Sequence, residues 1–182
     1  MQNIALQSTM PRFSGKYRIT KLRAKPRWMP TALWLKLYHA GLINFMVISQ
    51  TPYIHNRIML SLNYGVNLFI RHLGGDDTYP LELNFAAIGT GSTAPVDGNT
   101  GLETPVLSNI PRATVDFTAV DILTTEWFMT NDELANGTYN EFGLFCNTQI
   151  FCRSIISPAH TKASNEDTLV EYIINAGNEY TP

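Results

Sequence analysis

Acidic residues are missing from the first 75 positions of this 182-residue chain. That stretch carries ten Lys and Arg. The rest carries three, Arg112, Arg153 and Lys162, against fifteen acids, so a net charge of −2 conceals halves of +10 and −12. Charged residues are scarce as a whole, 15% against roughly 25% in an average globular protein, which suits a surface that partly faces other protein. Two cysteines, Cys146 and Cys152, are too few for a disulfide framework. A hairpin turning near Asn147-Thr148 would not set them opposite one another, so buried free thiols are expected. No apolar run is clean enough for a membrane helix: the most apolar segment, 31–50, contains Lys36, His39 and Asn44. The opening residues lack a basic segment followed by an apolar one, and no signal peptide is read there.

Catalytic signatures are also missing. His39, His55, His72 and His160 are scattered without metal-ligand spacing, and no H-E-x-x-H, phosphate-loop lysine or G-x-S-x-G occurs. Glu126 and Glu141 are the carboxylates to weigh for glycoside hydrolysis. Glu141, however, lies in Tyr139-Asn140-Glu141-Phe142-Gly143-Leu144-Phe145, where a structural bond to Arg112 or Arg153 is the better reading. Asn136-Gly137-Thr138 forms a glycosylation sequon, meaningful only in a eukaryotic secretory setting. A non-enzymatic protein with no cofactor and no metal is therefore expected.

What the chain does contain centres on residues 81–105. Leu81, Leu83, Phe85 and Ala87 alternate with Glu82, Asn84 and Ala86, the two-residue period of a half-buried strand. Gly89-Thr90-Gly91-Ser92-Thr93-Ala94-Pro95, then Gly98, Asn99 and Gly101, form a shaped loop. Gly89-x-Gly91-x-x-Ala94 fits a loose dinucleotide fingerprint. That fingerprint needs a helix N-terminus behind it, and Pro95, Gly98 and Gly101 occupy the place where the helix would run.

Elsewhere, Arg12, Lys16, Arg18, Lys21, Arg23, Lys25 and Arg27 make a basic N-terminal arm containing a short strand, broken by Pro26 and Pro30. With Phe13, Tyr17 and Trp28 it suits either single-stranded nucleic acid or a clasp on a neighbouring subunit; the acidic second half favours the clasp. Leu33, Leu35 and Leu37 alternate as a strand, and Gly41 turns the chain into a second one, Ile43–Ile48. Residues 56–75 read as a helix: Asn56 is the N-cap, Ile58, Met59, Leu62, Val66, Phe69, Ile70 and Leu73 the apolar face, and Gly74-Gly75 the stop. The phase change near Val120-Asp121 marks a bulge or a corner between two strands. Thr138–Cys146 and Gln149–Ile156 form a hairpin ended by Ser157-Pro158, and Thr168–Ala176 is a last strand. The expected fold is mainly β: an antiparallel β-sandwich with one packed α-helix and an N-terminal extended arm. Its parts are 1–52, arm and apolar strands, and 53–182, helix plus sandwich.

Three pieces taken in order resemble a known family. They are Asn56–Gly75 leading into Pro80-Leu81-Glu82; Ile88–Pro95 with Gly101-Leu102-Glu103; and Asn140–Phe145 with Cys152-Arg153, Ser157-Pro158, Lys162 and Thr168–Tyr172. This order is similar to small virion structural proteins of tailed bacteriophages, described as tail- or baseplate-associated. The resemblance covers roughly residues 56–176. It implies a β-rich assembly protein present in many symmetric copies, built in the host bacterial cytoplasm and ending in the virion, with no catalytic residues. The expected subunit-interface residues are Arg12, Lys16, Arg18, Lys21, Arg23, Lys25, Arg27, Thr90, Ser92, Thr93 and Asp97. Its partners would be copies of itself in a ring or tube and other virion proteins; no nucleic acid or membrane partner is expected. Two further readings are a host-recognition module that binds a surface glycan through aromatics such as Trp127, Tyr139 and Tyr180 on exposed loops, and a head or connector protein whose basic arm contacts DNA.

Overall fold

The computed structural model describes residues 14–56, 65–78, 80–96, 98–119 and 121–176. Alternating apolar positions there become nine strands, all paired antiparallel: β1 (Ser14–Arg23), β2 (Val47–Gln50), β3 (Ile54–Asn56), β4 (Phe85–Gly89), β5 (Pro105–Ala119), β6 (Ile122–Met129), β7 (Gly137–Cys146), β8 (Gln149–Lys162) and β9 (Glu166–Asn175). They form one sheet in the order β2-β1-β9-β6-β5-β4-β7-β8, with β3 beside β2 on the same flank of β1.

The sheet curls back on itself through β5. This 15-residue strand pairs with β6 along Arg112–Ala119 and with β4 along Pro105–Pro111. Breaks in register lie on both sides of the changeover, and Asn109 takes the left-handed conformation at φ 55°. Extra residues of this kind bend a strand and tighten its twist. The two limbs then face each other across one core. Tyr17, Trp127, Val170 and Tyr172 enter it from one limb; Ile88, Phe142, Leu144 and Cys152 enter from the other. Tyr17 spans the gap, donating from its hydroxyl to the Ile155 carbonyl at 3.0 Å. The antiparallel, sandwich-like β fold expected from the strand spacing is the one observed.

Two α-helices are described rather than one. Segment 31–39 is the helix α1 (Thr31–His39), not a strand. Alternation over three leucines fits either period. Pro30 at the N-cap and a C-terminal Schellman motif around Gly41 (φ 73°) decide for the helix. In that motif Leu42 N–H donates to Leu37 O and Gly41 N–H to Tyr38 O, both at 2.9 Å. The adjacent Trp34 and Leu35 are buried against Leu22, Phe128 and Leu169 in a second, smaller core on the outer face of the sheet. The strand expected at Ile43–Ile48 starts later, at Val47, after a 3-10 turn over Asn44–Met46.

The second helix, α2 (Gly65–Leu73), stops as expected: Asp76 N–H donates to Arg71 O and Gly75 N–H to His72 O, with Gly75 at φ 81°. Its start differs. Asn56 closes β3 instead of capping a helix, and residues 57–64, including Ile58, Met59 and Leu62 of the expected face, lie outside the described residues. Leu68 is the buried anchor, while Ile70 and Leu73 are exposed. Strand β8 does not end at Ser157-Pro158 but runs through that cis peptide to Lys162. Proline is tolerated there because β8 is an edge strand, where a missing N–H need not break a ladder.

Candidate assembly surfaces

The glycine-rich loop between β4 and β5 is held by one buried carboxylate. Glu141 stands on β7 directly opposite Gly89 of β4. Its Oε1 accepts from the N–H groups of Gly91 (3.0 Å) and Thr104 (2.7 Å), and its Oε2 from Glu103 N–H (3.0 Å) and Arg153 Nε (2.8 Å). Arg153, equally buried on β8, reaches outward into the loop, donating to Asn99 Oδ1 (3.1 Å) and Glu103 Oε2 (3.3 Å). Burial alone would raise the Glu141 pKa; the Thr104 and Glu103 amides and the Arg153 guanidinium outweigh it and hold the carboxyl below its ordinary range. Glu103 in turn accepts from Thr93 N–H (2.9 Å) and Thr93 Oγ1 (2.6 Å).

This geometry answers the fingerprint Gly89-x-Gly91-x-x-Ala94. Amides that would cradle a pyrophosphate converge on the protein's own carboxylate, and no helix is present among the described residues of 90–104. The glycines are needed for close approach: a Cβ at Gly91 would lie 2.5 Å from Glu141 Oε1, and one at Gly89 would strike the Thr104 carbonyl. Thr90, Ser92, Thr93, Ala94 and Val96 remain exposed on the outside of the braced loop. Asp97 lies outside the described residues.

The basic segment is not an extended arm over residues 14–23. It is β1, an internal strand whose whole length pairs with the acidic β9. Tyr17, Ile19 and Leu22 carry it into the two cores, and that apolar content overrides its charge. Arg18 pairs with Glu171 (2.9 Å) and Lys21 with Glu166 (3.7 Å); Lys16 and Arg18 sit over the Tyr53 ring at 5.2 and 4.8 Å, and the Tyr53 hydroxyl bonds Glu171. In the loop that follows, Lys25 Nζ donates to Met29 O (3.1 Å) and Arg27 pairs with Asp132 (3.2 Å). Arg23 is exposed at the strand end, with no ion-pair partner among the described residues. Basic first half and acidic second half thus meet within one chain. Arg12 lies outside the described residues.

Several other sites resolve simply. Trp127 and Tyr139 are not on exposed loops but buried on β6 and β7, where strand alternation turns them into the core, and Tyr180 lies outside the described residues. Glu126 and Glu141 are not brought together: Glu126, on β6, bonds His39 Nε2 (2.9 Å) and Thr114 Oγ1 (2.6 Å). Cys146 and Cys152 are buried free thiols whose pKa values burial pushes up to about 12. No cluster of three potential metal ligands occurs among the described residues, and no helix of the described chain is long and apolar enough to cross a membrane. Sequence reasoning missed the buried Lys162, whose Nζ donates to Asn131 Oδ1 (3.1 Å) and Asn136 Oδ1 (3.2 Å) and so ties the β6–β7 connection to the end of β8. Its one visible signal is a lone lysine ending a long strand beside a loop containing two asparagines.

Among the described residues, large apolar side chains reach solvent at Tyr53, Val96 and the α2 positions Ile70 and Leu73, and in two larger groups. Segment 28–48 exposes Trp28 (77%), Phe45 (73%), Leu42, Leu33 and Ile48; β5 exposes Phe117 (75%), Val115 and Val106. Compared with known proteins, the chain matches no family model, no curated protein and no solved structure.

Proposed function

We propose that this chain is a non-enzymatic structural protein of a tailed-bacteriophage virion, assembling in multiple copies in the tail, baseplate or collar region. The observation that carries the assembly part is the exposure of Trp28, Leu42 and Phe45 in the turns around α1 and of Phe117 on β5. A free monomer seldom keeps so many large apolar groups in water, and such surfaces mark contact with other protein. The braced loop adds to this: the buried Glu141–Arg153 pair fixes the shape of an outer surface bearing Thr90, Ser92 and Thr93, as a repeated contact requires. The phage part rests on the motif order across residues 56–176.

Two measurements test it. Sedimentation of the purified chain over a concentration series is expected to show reversible self-association. Antibodies raised against the chain are expected to label virions at the tail. Particles free of this polypeptide would overturn the virion assignment.

A further inference from the structure

Two of the exposed apolar side chains, Phe117 on the β5–β6 hairpin and Ile48 on β2, lie at opposite ends of the β6-β9-β1 strands. At one end, Ile122 pairs with Asn175 and Asn175 with Ser14, so the β5–β6 hairpin tip stands level with the start of β1. Phe117 projects there, flanked by the exposed Asp116 and Asp121, neither of which has an ion-pair partner among the described residues. At the other end, where Arg23 pairs with Glu166, an open groove of about 460 Å³ is lined by Arg23, Ala24, Ile48, Ser164, Asn165 and Glu166. Glu166 is already engaged by Lys21 and by Ala163 N–H (2.7 Å), whereas Arg23 is an exposed cation with no counter-ion among the described residues. Ten residues of β1 separate the two ends by roughly 30 Å.

We infer that copies of this chain join head to tail, the β5–β6 hairpin tip of one copy seating Phe117 in the groove beside Ile48 and Arg23 of the next. The inference rests on the multi-copy reading above and adds the contact. An aromatic knob with acids beside it meets a groove that offers the Ala24 and Ile48 side chains for contact and the Arg23 guanidinium for the acids, so charge favours one orientation. A knob and a groove at opposite ends of one molecule make a heterologous contact, which builds a ring if the rotation closes and a filament if it does not. The occupant is therefore a second copy of this chain.

The test uses two full-length variants, Phe117→Asp (knob) and Ile48→Asp (groove), followed by sedimentation. Both positions are exposed, and circular dichroism identical to wild type establishes the fold. Each variant alone is expected to associate roughly thirtyfold or more weakly, the loss typical of truncating a buried aromatic anchor. Mixed, they are expected to form a one-to-one dimer and stop, because one intact knob meets one intact groove. A charge swap gives the same information without touching apolar groups: Arg23→Glu and Asp116→Arg each weaken association, and the double variant regains it. Wild-type assembly left unchanged by every variant overturns this contact and leaves the multi-copy reading standing. A wild-type chain that is monomeric at all concentrations yet present in virions also overturns it, since another virion protein then fills the groove. A monomer missing from virions removes the multi-copy reading itself.

Discussion

Opposite charges meet in two contrasting settings. Along β1 and β9 the Arg18–Glu171 and Lys21–Glu166 pairs stand partly in water. Between β7 and β8 the Arg153–Glu141 pair is sealed inside, with both side chains almost fully covered. The outer pairs follow the split between a basic first half and an acidic second half. The inner pair ignores it, since both partners come from the acidic half. Surface pairs contribute about 0–1 kcal/mol each, because water screens them and two long side chains must be held still. A buried pair is different in kind. Making it offsets a large desolvation cost, and removing one partner leaves the other charge stranded. The conspicuous charge pattern is thus not where electrostatics govern the fold.

The largest effect that sharpens this contrast is expected from Glu141→Ala. It strands the Arg153 guanidinium and leaves the Gly91, Glu103 and Thr104 amides without their acceptor. Breaking a buried pair from one side costs about 3–5 kcal/mol, a large part of the 5–15 kcal/mol that holds a typical domain. Urea denaturation should show that loss, and hydrogen exchange should rise at Gly91, Glu103 and Thr104 before it rises in β7. A loss under about 1 kcal/mol would mean that the loop is held by its outer bonds, Thr93 to Glu103 among them.

The next effect concerns pH. His160 is buried on β8, bonded through Nε2 to Thr168 Oγ1 (2.9 Å), stacked near Tyr139, and faced by Lys21, Lys162 and Glu166. Burial, with the Lys21 and Lys162 charges adding to it against Glu166, lowers its pKa from 6.5 to about 4. As pH falls below about 6.5 the unfolded chain takes up a proton that the folded chain refuses until about pH 4. Stability is therefore lost as pH falls through that window, by about 2–3 kcal/mol from this residue. Urea midpoints measured between pH 7.5 and 4 should fall steeply for the native chain and less so for His160→Gln. Parallel curves would assign the acid sensitivity to other groups.

How far the sequence discloses these features depends on whether a residue's partner is local. The β7–β8 hairpin, β9 and the glycine stop of α2 are legible because turn chemistry and a two-residue period act over neighbouring positions. Arg153 as partner of Glu141 is half legible: the aromatic flanks of Glu141 imply burial, burial of a carboxylate implies a cation, and only Arg112 or Arg153 was available nearby. Helix α1 is only half legible, since three alternating leucines satisfy both periods and Pro30 and Gly41, which bound the helix, serve equally as turn residues between strands. The role of β1 is hidden for a similar reason. Seven basic residues suggest an outlying arm, whereas Tyr17, Ile19 and Leu22 between them make an interior strand. The exposed groove is illegible altogether, because Ile48 and Ser164 meet only through the β2-β1-β9 pairing and the turn before β9.

The smallest effect is the most informative about why the charge is segregated. Arg27 and Asp132 are 3.2 Å apart with side chains 88% and 58% exposed, the most open of the cross-half pairs. A double-mutant cycle with Arg27→Ala and Asp132→Ala should give a coupling of at most about 0.5 kcal/mol, vanishing in molar salt as screening shortens to a few ångströms. A coupling well above 1 kcal/mol would make the split a device that stabilises the single chain. A coupling near zero removes that explanation from its most exposed pair. Charge that adds little to folding but is sorted to different ends of a molecule acts on encounter and orientation between molecules. On that outcome Arg23 at one end, and Asp116 and Asp121 at the other, all without an ion-pair partner among the described residues, are the residues the segregation serves.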